Sequence, residues 1–458
     1  MKVATHPAVV GGIVSAALTA LYCWFSIRQW QRFEVPSWDL GIFTQVVRSY
    51  SEWRAPVATI KGEDFMILGD HFHPLLVLLA PLYALFPSGL TLLIAQAILV
   101  GISVLVLTAC AVRHLGIPAG VGIGIGYGLA WGLQSAVAAQ FHEVALALPL
   151  LAAVMAALIR RADRAAALWA LPLLGVKEDL GLTVAMIGVV IALRGSRRIG
   201  IALAGTGVAA FILTTQVVLP ALNPDGVWDY AADSIVSLAL TDPGAAVGRL
   251  VDGGWQKLTL LALIFGIAGF IALRSPLALI TLPTLAWRLT SDVEYHWGTY
   301  WHYSAVLMPI VFAAAIDALI RSAGWKRLAP GFAAAMAAIA LVLSTQFPLW
   351  QLTDPQFWRT GQRSVDAEAA MAMIDDDALV VTDITLMAYL APRTEVYWLG
   401  NEGNPVPDYV VLDQNSGIYT TPPTDAAAWA EVHFGDDYTQ VFARGGFLLA
   451  VRTDGVAG

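Results

Sequence analysis

Ser37-Trp38-Asp39-Leu40-Gly41-Ile42-Phe43-Thr44-Gln45, with its sequel Gly69-Asp70-His71-Phe72-His73-Pro74, is the first long polar interval in a chain that is otherwise mostly apolar. It follows one membrane-length apolar run, from about Ala8 to Ile27, and precedes all the others. It sets two carboxylates and two imidazoles among aromatic side chains. A loop that only joins two helices has no need of that chemistry. Two readings stay open: an interfacial loop whose polar groups satisfy one another, or the loop of an active site. The choice depends on where the rest of the chain puts its polar residues.

Working outward, the class is set by composition. Hydrophobic residues make up 58% of the chain and charged residues 13%, and the mean hydropathy is +0.67. Soluble domains carry about 25% charged residues. Repeated apolar runs of ~20 residues read as membrane helices. The net charge of −8 and the lack of any Lys/Arg-rich run argue against nucleic acid as a partner. The first apolar run exceeds a signal-peptide core and no small-x-small site follows it, so it reads as a retained helix. Cys23 and Cys110 fall near opposite ends of their helices, which excludes a disulfide between them.

The apolar runs predict about 11 transmembrane helices, near 8–27, 90–112, 118–135, 144–159, 165–176, 180–193, 199–219, 258–273, 276–289, 304–320 and 329–347. Leu75–Phe86 would rise only ~18 Å, too little for a ~30 Å core, and reads as an interfacial helix. The expected class is thus mainly α, a polytopic membrane protein. Residues 1–348 would form the transmembrane domain, with an outer loop at 28–74 and the interfacial helix at 75–86. Residues 349–458 change character and read as a small extracytoplasmic α/β domain. Its strands are expected at 378–382, 395–399 and 409–412, a helix at 426–434, and a hairpin through Gly445-Gly446. Asp375-Asp376-Asp377 reads as a solvated helix end rather than a cation site.

Basic residues give the orientation. Lys2, Arg113, Arg160, Arg161, Arg164, Arg194, Arg197, Arg198, Arg274, Arg321, Lys326 and Arg327 occupy alternate junctions, which hold only two acids, Asp163 and Asp317. The positive-inside rule makes these junctions and the N-terminus cytoplasmic, and the C-terminus outer. The outer junctions then receive Asp39, Asp70, Glu143 and Lys177-Glu178-Asp179. They also receive five of the eight histidines: His71, His73, His142, His296 and His302. Ionisable groups at membrane depth are costly unless they pair or line a cavity. Their one-sided gathering points to a single polar cavity opening outward. Each cluster also has a plainer explanation. His142-Glu143 suits a helix N-terminus, Lys177-Glu178-Asp179 a self-neutralising turn, and Trp297, Tyr300 and Trp301 an aromatic belt.

Trp38-Asp39-Leu40-Gly41-Ile42-Phe43, Gly69-Asp70-His71-Phe72-His73-Pro74 and Lys177-Glu178-Asp179 together resemble the signatures of a family of predicted bacterial membrane proteins, the domain of unknown function DUF2079. That family in turn resembles the GT-C class of membrane glycosyltransferases. The shared plan is a helix, a long outer loop with an acid near its start, an interfacial helix opening on a Pro-containing polar motif, and a later hairpin with Lys at its tip. Two departures stand out. Asp39 is a lone acid followed by Leu40, without an Asp-x-Asp or Asp-Glu pair. His73 stands where such transferases often carry Lys.

The resemblance implies a bacterial plasma-membrane protein that moves a sugar from a polyprenyl-phosphate donor to a cell-envelope acceptor at the outer face, with inversion. Asp39 would be the catalytic base. Lys177, with His73 or His302, would meet the phosphate. Trp38, Asp70, Glu178 and Tyr303 would complete the substrate site. Asp70, His71 and Glu143 could hold a divalent metal, Mg or Mn. The competing readings are a lipid or small-solute transporter or flippase, whose sites should lie near midplane in related halves, and a non-catalytic membrane scaffold, whose outer histidines need not converge.

Overall fold

The computed structural model describes residues 6–228 and 235–453; Lys2 lies outside them. Among the described residues, six helices are long and apolar enough to cross a membrane: Pro7–Gln31, Gly89–Leu115, Ile117–Ala139, Arg197–Leu222, His302–Arg321 and Ala323–Leu343. This corrects the expectation of about 11. The other five apolar runs fold as shorter pieces. Leu180–Leu193, with 14 residues, rises ~21 Å, short of a ~30 Å hydrocarbon core. Glu143–Ile159 is another of the shorter apolar helices. Asp163–Ala170 gives way at Pro172 to a 3-10 turn, Leu171–Gly175. Gly254–Gly266 stops before Gly269 and Phe270, both at positive φ. Pro276 and Pro283 open two successive short pieces, Pro276–Thr281 and Leu282–Thr290. Hydropathy sums over such breaks; the backbone cannot, because proline lacks the N–H that would continue the ladder.

Small residues let the helices approach. A Cβ on Gly188 would lie 2.4 Å from the Ala204 nitrogen, so Leu180–Leu193 packs backbone to backbone on Arg197–Leu213. The arginine-rich junctions meet in space. Arg113, Arg160 and Lys326 act electrostatically on His114, and Arg161 and Arg321 act on Arg194. Glu143–Ile159 and Leu180–Leu193 each lead from the polar cluster described below to one of these basic junctions.

The long interval at 28–74 is not simply a loop. Its first half forms the helix Trp38–Ser51, with Asp39 in the first turn, where a carboxylate suits the helix dipole. The segment expected to lie in the interface is a 3-10 turn, Pro74–Leu79, followed by the helix Ala80–Leu85, and it leaves Val77, Leu78, Leu85 and Phe86 exposed.

The C-terminal region mixes α and β. Five strands, β1 (Leu379–Thr382), β2 (Glu395–Trp398), β3 (Tyr409–Asp413), β4 (Tyr438–Arg444) and β5 (Phe447–Arg452), form one sheet in the order β2-β1-β3-β5-β4. β1 runs parallel to β2 and β3, and β5 antiparallel to β3 and β4. The period-two alternation sorts side chains to two faces. Val381, Tyr397, Val410, Leu412, Leu448 and Ala450 pack under the helix Ala426–Phe434. Val380, Val396, Val411 and Leu449 turn the other way and join the core of the helical body.

Candidate active site

Asp39 is the member of the cluster best placed to meet another molecule: its side chain is 35% exposed. Two groups from the segment after the helix Trp131–Ala139 hold it. Gln140 Nε2 donates to Asp39 Oδ2 at 2.6 Å, and Gln140 Oε1 accepts from the Leu40 amide at 2.9 Å. His142 Nε2 faces Asp39 Oδ2 at 3.1 Å. The His142 ring lies against the His302 ring, with centroids 3.6 Å apart, and His302 lies 4.3 Å from Tyr303. Both His302 ring nitrogens and His142 Nδ1 are buried without a hydrogen-bond partner among the described residues.

A second group sits at the start of Leu180–Leu193. Lys177 Nζ donates to Glu143 Oε1 at 2.8 Å, and the Glu143 side chain is 2% exposed. Burial opposes a charge on Lys177, yet Glu143, Glu178 and Asp179 around it hold its pKa above the ordinary lysine value. Glu178 reaches back to the polar interval. Its Oε1 meets His71 Nδ1 at 2.8 Å and its Oε2 accepts from the Phe72 amide at 3.0 Å. Burial disfavours both charges, but each partner stabilises the other, so His71 is raised and Glu178 is drawn down to about 2. Burial pushes Asp179 up to about 6, against the pull of Lys177.

The structure thus brings Asp39, His302 and Tyr303 into one run of contacts and Lys177, Glu143 and Glu178 into another. Both runs meet at a narrow cavity of about 20 Å³ lined by Lys177, Asp179, Trp287, His302 and Tyr303. That is far from the open outer cavity expected from the sequence, and comparable to the space one water needs. His73 is buried edge-on against Phe43, 5.5 Å between centroids, and burial lowers its pKa to about 4. Asp70 is paired with Lys61 at 2.9 Å. Trp38 turns away from the cluster, edge-on to Trp398 of β2 at 4.8 Å. Asp70, His71 and Glu143 do not assemble as a metal site, since their partners are Lys61, Glu178 and Lys177. Among the described residues, no group of three or more His, Cys, Asp or Glu is arranged to hold a metal ion.

Sequence reasoning missed Gln140 as a partner of Asp39, and it placed His142 among the outer histidines, with a helix head as its plainer reading, without pairing it with Asp39. His142 carried a signal, its place beside Glu143 among the outer histidines. Gln140 carried none, since one amide near a helix end is unremarkable.

Residues 29–449 match the family model described as "Predicted membrane protein (DUF2079)". The chain belongs to this family. No curated protein matches the DUF2079 chain. Among solved structures, ArnT from Cupriavidus metallidurans, crystallised with undecaprenyl phosphate, is similar with a TM-score of 0.57 over 97% of this chain and 98% of that chain, at 13% identity. At that identity the likeness is one of fold, and the DUF2079 protein distantly resembles the GT-C glycosyltransferase architecture.

Proposed function

We propose that the protein transfers a sugar from a polyprenyl-phosphate donor to an acceptor hydroxyl at the outer face of the plasma membrane. The N-terminus and the arginine-rich junctions lie on the cytoplasmic side and the sheet on the outer side. The observation that supports this most is the placement of Asp39. It is a partly exposed carboxylate held by Gln140 and His142, and it is connected through His302 to a cavity lined by the Lys177 ammonium. The fold likeness to ArnT, a protein crystallised with undecaprenyl phosphate, supports a lipid phosphate as donor.

In the reaction, Asp39 accepts the acceptor's hydroxyl proton as the oxygen attacks the anomeric carbon. The bond from that carbon to the phosphate oxygen breaks, and the lipid phosphate leaves with the bonding electrons. Lys177 compensates the charge that develops on it. A second hydrogen-bond donor is available at His302, whose ring nitrogens have no hydrogen-bond partner among the described residues. Drug-sized ligands occupy ~300–1,000 Å³, so the cavity must widen for the donor to enter. The mobile walls would be Leu180–Leu193 and Leu282–Thr290, which contribute Leu180, Thr284 and Trp287 to its lining. A scaffold has no need to gather its histidines, whereas here the His142 ring lies tilted against the His302 ring and His296 lies 5.1 Å from Tyr303.

The test uses protein in nanodiscs, a panel of polyprenyl-phosphate sugars, and detection of released lipid phosphate. Release that depends on Asp39 supports the proposal. No release across the panel, together with no binding of undecaprenyl phosphate, would contradict it.

A further inference from the structure

Strand β2 and the segment 387–394 that leads into it touch the helix that carries Asp39 at every turn. Ser37 Oγ, one residue before that helix, accepts from the Ala388 amide at 2.6 Å. Trp38 packs edge-on against Trp398. A Cβ on Gly41 would lie 2.8 Å from Ile60 Cδ1 and 3.0 Å from Met387 Cβ, so Gly41 lets the short helix Met387–Leu390 seat directly on the helix Trp38–Ser51. Gln45 Nε2 donates to the Val396 carbonyl of β2 at 2.9 Å, and Gln45 Oε1 accepts from the Ile60 amide at 3.1 Å. Arg48 donates to the Ala391 and Thr394 carbonyls at 3.1 and 3.0 Å. These contacts fall on successive turns of one helix, three or four residues apart. The other first-turn residues face away from these contacts, the Leu40 amide to Gln140 and the Asp39 carboxylate to Gln140 and His142.

We infer that the C-terminal α/β region is a positioning element for Asp39: β2 and the segment 387–394 before it clamp one flank of the Trp38–Ser51 helix so that the carboxylate is held against Gln140 and His142. The inference rests on the proposed role of Asp39. It assigns that region to the reaction centre rather than to recruitment of a separate partner, and it makes Ser37, Gly41 and Gln45 positioning residues. Ser37 and Gly41 are then constrained for different reasons. Ser37 satisfies a buried amide, and Gly41 leaves the room in which two helices meet. The Trp38-Asp39-Leu40-Gly41 motif is accounted for by position: Trp38 meets β2 and Gly41 the helix Met387–Leu390, while Asp39 and the Leu40 amide bind Gln140.

The experiment compares wild type, Ser37→Ala, Ser37→Thr and Gly41→Ala, all full-length in nanodiscs. Two quantities are measured: amide hydrogen exchange over residues 38–48, and turnover with a polyprenyl-phosphate sugar. Ser37→Ala removes the acceptor, Ser37→Thr keeps it, and Gly41→Ala forces the helices apart while itself favouring helix. The expected result is faster exchange over 38–48 in Ser37→Ala and Gly41→Ala, with kcat lowered about 10- to 100-fold and donor KM unchanged. Ser37→Thr should recover both. Faster exchange with undiminished kcat would overturn the positioning role, and unchanged exchange would overturn the clamp itself. A wild type that exchanges as expected but transfers no sugar would remove the catalytic half through the failure of the proposed function, while exchange in the variants still decides the clamp.

Discussion

Replacing Lys177 by Met removes the cation 2.8 Å from a carboxylate that is 2% exposed. Glu143 then has two ways to respond. It can stay ionised, and breaking a buried pair by removing one partner costs about 3–5 kcal/mol. Or it can take up a proton, which at pH 7 costs a carboxyl group of ordinary pKa about 3.5 kcal/mol. The cheaper response sets the loss, which is then about 3–4 kcal/mol. Glu143→Gln should cost less, because Lys177 still has Glu178 and Asp179 acting on it. The double variant Lys177→Met/Glu143→Gln should recover most of the loss, leaving a coupling of about 2–3 kcal/mol in the cycle. The assay is reversible denaturation in mild detergent, with all four proteins at the same pH. Binding of undecaprenyl phosphate is measured beside it and should be lost in both Lys177→Met variants but kept in Glu143→Gln. Equal stability of Lys177→Met and the double variant would refute the reasoning, because it would mean that Glu143 is not left uncompensated.

The His71–Glu178 contact should be pH-dependent. Glu178, drawn down to about 2 from 4.5, contributes in full above 4.5 and loses its contribution as pH falls toward 2; His71, raised above 6.5, contributes in full below 6.5 and loses its contribution as pH rises through its folded value. Attachment of the 69–74 segment should therefore be strongest between about pH 4.5 and 6.5, read as minimal hydrogen exchange there, and Glu178→Gln should flatten the profile. For topology, a cysteine at Asp377, whose side chain is 89% exposed, should react with an impermeant reagent in intact cells, in a background lacking Cys23 and Cys110. One at Gly324 should not, and labelling there would reverse the orientation.

The C-terminal strands were legible because each is short, β-branched and bounded by turn residues, and because Gly445-Gly446 supplies the two positive φ values of a tight hairpin. Helix Ala426–Phe434 was read to the residue for a related reason, with Asp425 as its N-cap and Gly435 in the left-handed region after it. The membrane count failed where apolar runs contain Pro172, Gly269 or Pro283, since hydropathy records composition but not continuity of the backbone ladder, and at Glu143–Ile159 and Leu180–Leu193, which are continuous but short. The sequence reading grouped Asp39, Glu143, Lys177 and His302 from the charge of the junctions, and in the structure Asp39 and His302 each contact His142 while Lys177 pairs with Glu143. It could not supply the pairings, because His142 against His302 and Gln140 against Asp39 are contacts between segments about 100 residues or more apart. The seating of β2 and the segment before it on the Asp39 helix was equally invisible, since its contacts run largely through backbone groups such as the Val396 carbonyl and the Ala388 amide.

The most direct test of the central claim is the turnover of Asp39→Asn. The substitution keeps the size of the side chain, and a Gln140 or His142 hydrogen bond to its carbonyl oxygen, but removes basicity. The protein should fold with an unchanged hydrogen-exchange pattern and bind undecaprenyl phosphate as wild type does. Release of lipid phosphate from a polyprenyl-phosphate sugar should fall by roughly 10²–10⁴-fold, the usual share of general acid–base catalysis. Wild-type turnover in Asp39→Asn would contradict the assignment of Asp39 as the base.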